Sequence, residues 1–338
     1  MSKIDKLYIV AEIGHNHRGD LEEAKKLFRE AKNAGANAVK LQKRDNKSLY
    51  TKKFYNQIYD NPNSYAETYG KHREVLEFDF DQYKELQIYA KEINIDFFAT
   101  PFDLKSINFL EKLNMPAYKI ASADITNSPL QEEIAKLGKP IFLSTGGSTM
   151  EDIKRAADLI LKHNKDLTIL HCTASYPVNL KDMNLAVITT LKKEFKNLRI
   201  GLSDHENGID AAVVAYMLGA RAFEKHFTLN HANKGTDHAF SLEPVGLTKF
   251  VRNIKRVDIM MGSETKKLLE SEKKPLFKMK KSIYAKRKLK ANHIVRFEDL
   301  AFKSPGGGLD LYKYKEIIGK KLNSDIEEED LILLENLK

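Results

Sequence analysis

The chain has 338 residues, enough for a (β/α)8 barrel of roughly 250 residues and a small additional module. Its composition, 42% hydrophobic and 30% charged with both signs interspersed, excludes a disordered chain and supplies a substantial core. The net charge of +9 comes from Lys and Arg set among acids, as in EEAKKLFREAK; with no zinc-finger spacing, aromatic RNA-binding signature or long basic arm, it points to small anionic substrates rather than nucleic acid.

The opening MSKIDKLYIV enters a strand at once and has no signal-peptide layout. No later apolar run reaches the roughly 20 residues that would cross a bilayer. Cys172 is the single cysteine, so no intramolecular disulfide forms. No membrane association and a cytoplasmic location are expected. Strands are predicted at YIVAEIG (8–14), AVKLQKR (38–44), DFFATPF (96–102) and AYKIASA (117–123). The series continues with PIFLSTGG (140–147), LTILHCTASYP (167–177), RIGLSDH (199–205) and AFEKHFT (222–228). Amphipathic helices fall between them. Asp20 with Glu23, and Thr149 ahead of MEDIKRAADLILKH, mark helix starts, and the glycines in NAGANAV and YMLGARAF mark helix ends. Eight βα alternations predict a closed (β/α)8 TIM barrel. An open doubly wound sheet would more often carry G-x-G-x-x-G after its first strand, and AEIGHNHRG lacks that spacing.

One connection, residues 45–80, far exceeds the usual βα loop and, following strand two, is expected at the active-site mouth. After GLTKFVRNIKRVDIMMG the alternation stops. The barrel is therefore assigned to residues 1–262, a linker to 263–279 and a β-rich, turn-rich module to 280–338. The dense basic stretch from Lys273 to Lys290 is expected to be a domain junction.

Barrel enzymes build their sites at the C-terminal strand ends, and here nearly every strand ends in polar residues. These are Glu12, Lys40 with Gln42, Thr100, Lys119 with Ser122 and Asp124, and Ser144 with Thr145. They continue with His171, Thr173 and Tyr176, Ser203 with His205, and Glu224 with His226. So many polar groups beside a core call for a common ligand. Two lysines and the hydroxyls of Thr100, Ser122, Ser144 and Ser203 suit a small, highly charged anion such as a phosphate-bearing acid. His205 and His226 end neighbouring strands, with Glu12 and Glu224 nearby, a pattern that accommodates a divalent metal with an open position. His15 and His17 lie in the loop past the first strand and are set aside as ligands.

The segments AEIGHNHRGDLEEAKKL, FFATPFD, YKIASAD, HCTASYPV, GLSDHENG, FEKHFTLN and GTDHAFSLEP resemble the sialic acid synthase family, and SIYAKRKLKANHIVRFEDLAFKSPGGGLD resembles its antifreeze-like SAF domain. The resemblance runs in order along essentially the whole chain. It implies a phosphoenolpyruvate-dependent transferase that joins phosphoenolpyruvate to an N-acylated hexosamine such as N-acetylmannosamine, yielding a nine-carbon 2-keto-3-deoxy acid and phosphate. It implies Mn2+ or Mg2+ on His205 and His226, and phosphoenolpyruvate on Lys40, Thr100, Lys119, Ser122, Ser144 and Ser203. Gln42, Asp124, Tyr176, Glu224 and Asp237 would face the sugar, and Glu12 would handle the attacking water or the tetrahedral intermediate. A domain-swapped homodimer, each SAF domain covering its partner's barrel, is also implied. Alternatives are a synthase for a legionaminic- or pseudaminic-type acid, another phosphoenolpyruvate–aldose condensing enzyme, or a non-catalytic carbohydrate-binding SAF protein. One departure stands out: where the family has Arg-Pro-Gly in its SAF domain this chain reads Lys303, Ser304, Pro305, Gly306, so an acceptor other than N-acetylmannosamine is expected.

Overall fold

The structure is a computed structural model and describes residues 6–338. It divides into two compact units between Met261 and Gly262. The first holds eight parallel strands, β1 (Tyr8–Gly14), β2 (Ala38–Lys43), β3 (Asp96–Pro101), β4 (Tyr118–Ile120), β5 (Ile141–Ser144), β6 (Leu167–Cys172), β7 (Arg199–Asp204) and β8 (Ala222–His226). They pair in sequence order, and β1 pairs with β8 to close the barrel. The eight predicted strands are all present. The fourth, fifth and sixth are shorter than expected: the fourth because the chain turns at Ser122–Asp124 into a 3-10 helix, the fifth and sixth because pairing stops at Ser144 and Cys172.

The helices of this unit are α1 (Leu21–Asn33), α2 (Asn46–Leu49), α3 (Lys52–Tyr55), α4 (Tyr69–Val75), α5 (Phe80–Glu92) and α6 (Leu104–Lys112). They continue with α7 (Ser128–Lys136), α8 (Met150–Leu161), α9 (Val187–Glu194), α10 (Asp210–Met217) and α11 (Pro244–Met261). The anticipated starts hold: the Asp20 carboxylate accepts from the Glu23 N–H at 3.0 Å, and Thr149 and Asp152 form a capping box. Helices α2, α3 and α4 occupy the long connection after β2.

Strand parity sorts the side chains into two cores. Ile9, Ala11, Val39, Leu41, Phe97, Ala99, Ile141 and Leu143 face outward into the layer shared with the helices. Val10, Ala38, Phe98, Ala117, Phe142, Leu170 and Ala222 fill the barrel interior, with the Phe98 and Phe142 rings stacked at 5.4 Å. One pleat further along each strand, the same inward parity carries Glu12, Lys40, Thr100, Lys119, Ser144, Cys172, Ser203 and Glu224. The apolar plug therefore floors a polar cup.

The second unit carries α12 (Glu270–Met279) and an antiparallel pair, β9 (Ser282–Ala285) and β10 (Leu300–Lys303), around a small core of Ile283, Leu289, Val295, Ile317, Leu322 and Ile332. Residues 263–279, expected as a linker, thus include a ten-residue helix. Its sequence, ESEKKPLFKM, is rich in helix formers and is tied by a Glu270–Lys273 ion pair, so a junction segment here is not an irregular one. Among the described residues no helix is long and apolar enough to cross a membrane.

Candidate active site

The cup opens into a cavity of about 600 Å³ at the C-terminal ends of the strands. Register explains its composition. Glu12 lies level with Lys40 on one side and His226 on the other, Gln42 with Thr100, and Ser203 with Glu224. Of the residues given a role in catalysis, metal binding or substrate binding, all except Asp124 line it; of the other strand-end candidates Thr145, His171 and Thr173 do not. Asp124 sits in the 3-10 turn after β4, where its Oδ1 accepts from Asn127 Nδ2 at 2.8 Å, so its side chain braces that turn outside the cavity lining. His171 and Thr145, on the outward parity, bond the carbonyls of Met183 and Leu170 and stay out of the cup.

At the base, four buried charges interlock. Lys40 Nζ stands 2.6 Å from Glu12 Oε2, 2.8 Å from Thr100 Oγ1 and 3.9 Å from Glu224 Oε2. Lys119 Nζ stands 3.2 Å from Glu224 Oε1, which also accepts from Ser203 Oγ at 3.2 Å. Burial works against the Glu224 carboxylate, yet Lys119 and Lys40 outweigh it and hold the group down at about 2. Glu12 behaves oppositely: burial pushes its carboxyl up, more than Lys40 pulls it down. Two carboxyls in one cup thus have separated proton affinities, an arrangement suited to one permanent anion and one proton acceptor.

Ser122 and Ser144 line the same cup. Ser122 Oγ accepts the Gly146 N–H at 2.9 Å, and Ser144 Oγ is buried without a hydrogen-bond partner. Gly146 is required here, since a Cβ would come within 2.8 Å of Ser122 Oγ and 2.9 Å of Ala174 Cβ. An unpaired buried hydroxyl beside two lysines suits an anion.

On the opposite wall the rings of His205 and His226 lie 5.4 Å apart, packed by Tyr176 and Phe240. His205 Nδ1 is 2.9 Å from the Thr173 carbonyl, which can only accept, so Nδ1 carries the hydrogen and Nε2 keeps its lone pair. Burial pushes both rings down to about 4 and keeps them neutral, the form that ligates metals. His226 Nδ1 is buried with no hydrogen-bond partner, and Asp237 Oδ2 lies 3.8 Å from it. Two neutral imidazoles, one with an unsatisfied buried nitrogen, fit a divalent cation. Among the described residues no group of three or more His, Cys, Asp or Glu forms a complete cluster, so the remaining positions would fall to substrate or water.

Sequence reasoning did not single out Arg44 or Arg73 and set His15 aside, yet all three line the cavity. Arg44 ends the predicted second strand, and Arg73 lies in the connection expected at the mouth; that expectation was the available signal. In the second unit, Ser304 Oγ donates to the Met279 carbonyl at 3.1 Å, and Lys303 pairs with Glu329.

A family model described as NeuB family matches residues 27–266, and one for the SAF domain matches residues 280–338. The N-acetylneuraminate-9-phosphate synthase of Mus musculus is 39% identical over 336 residues, covering 98% of this chain and 92% of that protein. The N,N'-diacetyllegionaminic acid synthase of Campylobacter jejuni is 38% identical over 335 residues, covering 97% and 99%. Among solved structures, the N-acetylneuraminic acid (sialic acid) synthetase of Leptospira borgpetersenii, in complex with citrate, superposes with a TM-score of 0.70 at 32% identity, covering 80% of this chain and 90% of that one.

Proposed function

The chain belongs to the NeuB family, and on that premise we propose that it condenses phosphoenolpyruvate with an aldose to give a nonulosonic acid and phosphate. The observation that carries this reading is the pairing, in one cup, of a lysine–hydroxyl anion cradle with two neutral imidazoles. In this reading Lys40 and Lys119 meet the phosphate and carboxylate charges of phosphoenolpyruvate, and Thr100, Ser122, Ser144 and Ser203 donate to their oxygens. Binding an anion relieves the unsatisfied Ser144 hydroxyl. His205 and His226 would hold a divalent cation, Mn2+ or Mg2+, which when bound supplies Lewis-acid polarisation of a carbonyl oxygen.

The acceptor's open-chain aldehyde lies toward Gln42, Tyr176, Glu224 and Asp237 in this assignment, with its carbon facing C3 of phosphoenolpyruvate. As C3 bonds to the aldehyde carbon, the C=O electron pair passes to the aldehyde oxygen, which takes a proton from solvent and becomes a hydroxyl, and C2 becomes electron-poor. The ionised Glu224, held between the two lysines, opposes that positive charge. Water then adds to C2, and Glu12, whose proton affinity burial has increased, accepts its proton. Phosphate departs with its bridging oxygen as the new C2 hydroxyl gives up its proton and becomes the keto group. The family resemblance further supports a homodimer in which the C-terminal unit acts on the partner's barrel, and a cytoplasmic location. Phosphate release from phosphoenolpyruvate, measured with a panel of N-acylated hexosamines with and without EDTA, tests the reading. Aldose-dependent release that EDTA abolishes is the expected result, and no release with any aldose would overturn it.

A further inference from the structure

Next to the two imidazoles in the chain lies a buried ion pair that the proposed chemistry leaves unused. Lys225 Nζ stands 2.7 Å from Asp204 Oδ2, and both side chains are 0% exposed. Parity turns them away from the cup, into the layer shared with the helices, and neither lines the cavity. On the same faces of β7 and β8, Ile200, Leu202 and Phe223 are all apolar. Two charges placed there lose their hydration, and a buried ion pair is often no more stabilising than apolar side chains of similar volume. Stability alone does not account for the pair.

Its remaining bonds show what it holds. Asp204 Oδ1 accepts from the Glu206 N–H at 2.8 Å, and Lys225 Nζ donates to the Glu206 carbonyl. The two side chains therefore fix both backbone polar groups of the residue that directly follows His205. Glu206 in turn turns its carboxylate toward the start of α10, where Oε2 accepts from the Ala211 N–H at 3.1 Å. The segment leaving β7 is thus tied to β8 on one side and to α10 on the other.

The two histidines need this tie unequally. His226 is the last residue of β8, level with Glu12 of β1, and its carbonyl accepts from the Leu242 N–H at 2.8 Å. His205 lies one residue past the end of β7, and the β7–β8 ladder stops at Asp204 opposite Lys225, so His205 stands outside it. Its carbonyl accepts from the Val178 N–H at 3.1 Å, and its ring bonds the Thr173 carbonyl, but both partners belong to the connection after β6 rather than to a strand. Lys225 immediately precedes His226, so its side chain carries the register of β8 across to the segment that bears His205.

We infer that Asp204 and Lys225 are a positioning pair: by clamping Glu206 they set the spacing of the His205 and His226 rings, 5.4 Å between centroids, and with it the affinity of the two imidazoles for a divalent cation. The inference deepens the reading above and rests on its assignment of the metal to these two rings.

The test uses the full chain stripped of metal, with Mn2+ as the probe. Binding is read without substrates from the electron paramagnetic resonance signal of free Mn2+, beside thermal melting of the metal-free protein. The double variant D204L/K225M replaces both charges with apolar side chains, so its metal-free Tm should equal or exceed that of the wild type. Its Kd for Mn2+ should rise about ten- to a hundredfold, the usual cost of losing groups that support metal ligands. Its kcat should recover toward the wild-type value once Mn2+ saturates the weakened site. D204N keeps the shape and one acceptor oxygen, so it should show a smaller rise, and it carries the test if the double variant does not fold. A folded variant with wild-type affinity for Mn2+ overturns this inference alone. Loss of folding in both variants marks the pair as structural and overturns it too. A wild-type chain that binds no Mn2+ removes the metal assignment, and this inference with it.

Discussion

Ser144 buries its hydroxyl oxygen with no hydrogen-bond partner, an arrangement that costs stability unless a ligand repairs it. Ser144→Ala should therefore leave the melting temperature unchanged or slightly raised, while the KM for phosphoenolpyruvate rises by about tenfold, as expected for a lost hydrogen bond to a charged group. A lower melting temperature with an unchanged KM would mark the serine as purely structural. His226 offers a different separation of roles, since its ring lines the cup and is not part of the apolar plug. Removing even the outer partners of metal ligands costs about 10- to 100-fold, so His226→Ala should lower turnover at least about a hundredfold, with an unchanged circular dichroism spectrum. Turnover undiminished after thorough chelation would remove the metal from the assignment.

At the scale of elements, the connection after β2 shows how a loop becomes part of a site. Three short helices fold it, and α4 presents Arg73 to the cavity. The second unit has few strands, and one buried carboxylate gathers several of its loop bonds. Asp299 accepts from His293 Nε2 at 2.7 Å, from Arg287 NH2 at 2.7 Å and from the Arg296 N–H at 3.0 Å. Burial works to raise this carboxyl, but those bonds outweigh it and hold it below its ordinary 3.8. A depressed carboxylate stabilises above its ordinary value, and the contribution is lost as pH falls through 3.8 toward the folded value. Asp299→Ala should reduce hydrogen-exchange protection at Val295 and Leu322 by about ten- to a hundredfold at neutral pH. The gap between the two proteins should narrow on acidification. Equal protection at neutral pH would show that Asp299 does not organise this unit.

At the scale of the whole molecule, the first unit closes its own barrel and holds its own core, so a chain ending at Gly262 should fold cooperatively. If the C-terminal unit completes the partner's sugar site in a homodimer, that truncated chain should lose most of its turnover. Size-exclusion chromatography with activity assays decides it, and a truncated monomer with full activity would refute the idea. By itself the sequence determined the eight strands, the closed barrel and nearly all of the polar cup. Those features follow from local rules: β-branched runs make strands, period-two parity sends Glu12, Lys40 and Ser203 inward while His171 turns out, and strand ends meet at one rim. Asp124 escaped that logic because the fourth strand ends early and its residue falls in a turn. Only the tertiary structure decided that Arg44, His15 and Arg73 share one wall, or that Glu12 and Glu224 differ in proton affinity. Convergence of residues far apart in the chain, and the burial and charge each then experiences, are properties of the folded arrangement that no local pattern encodes.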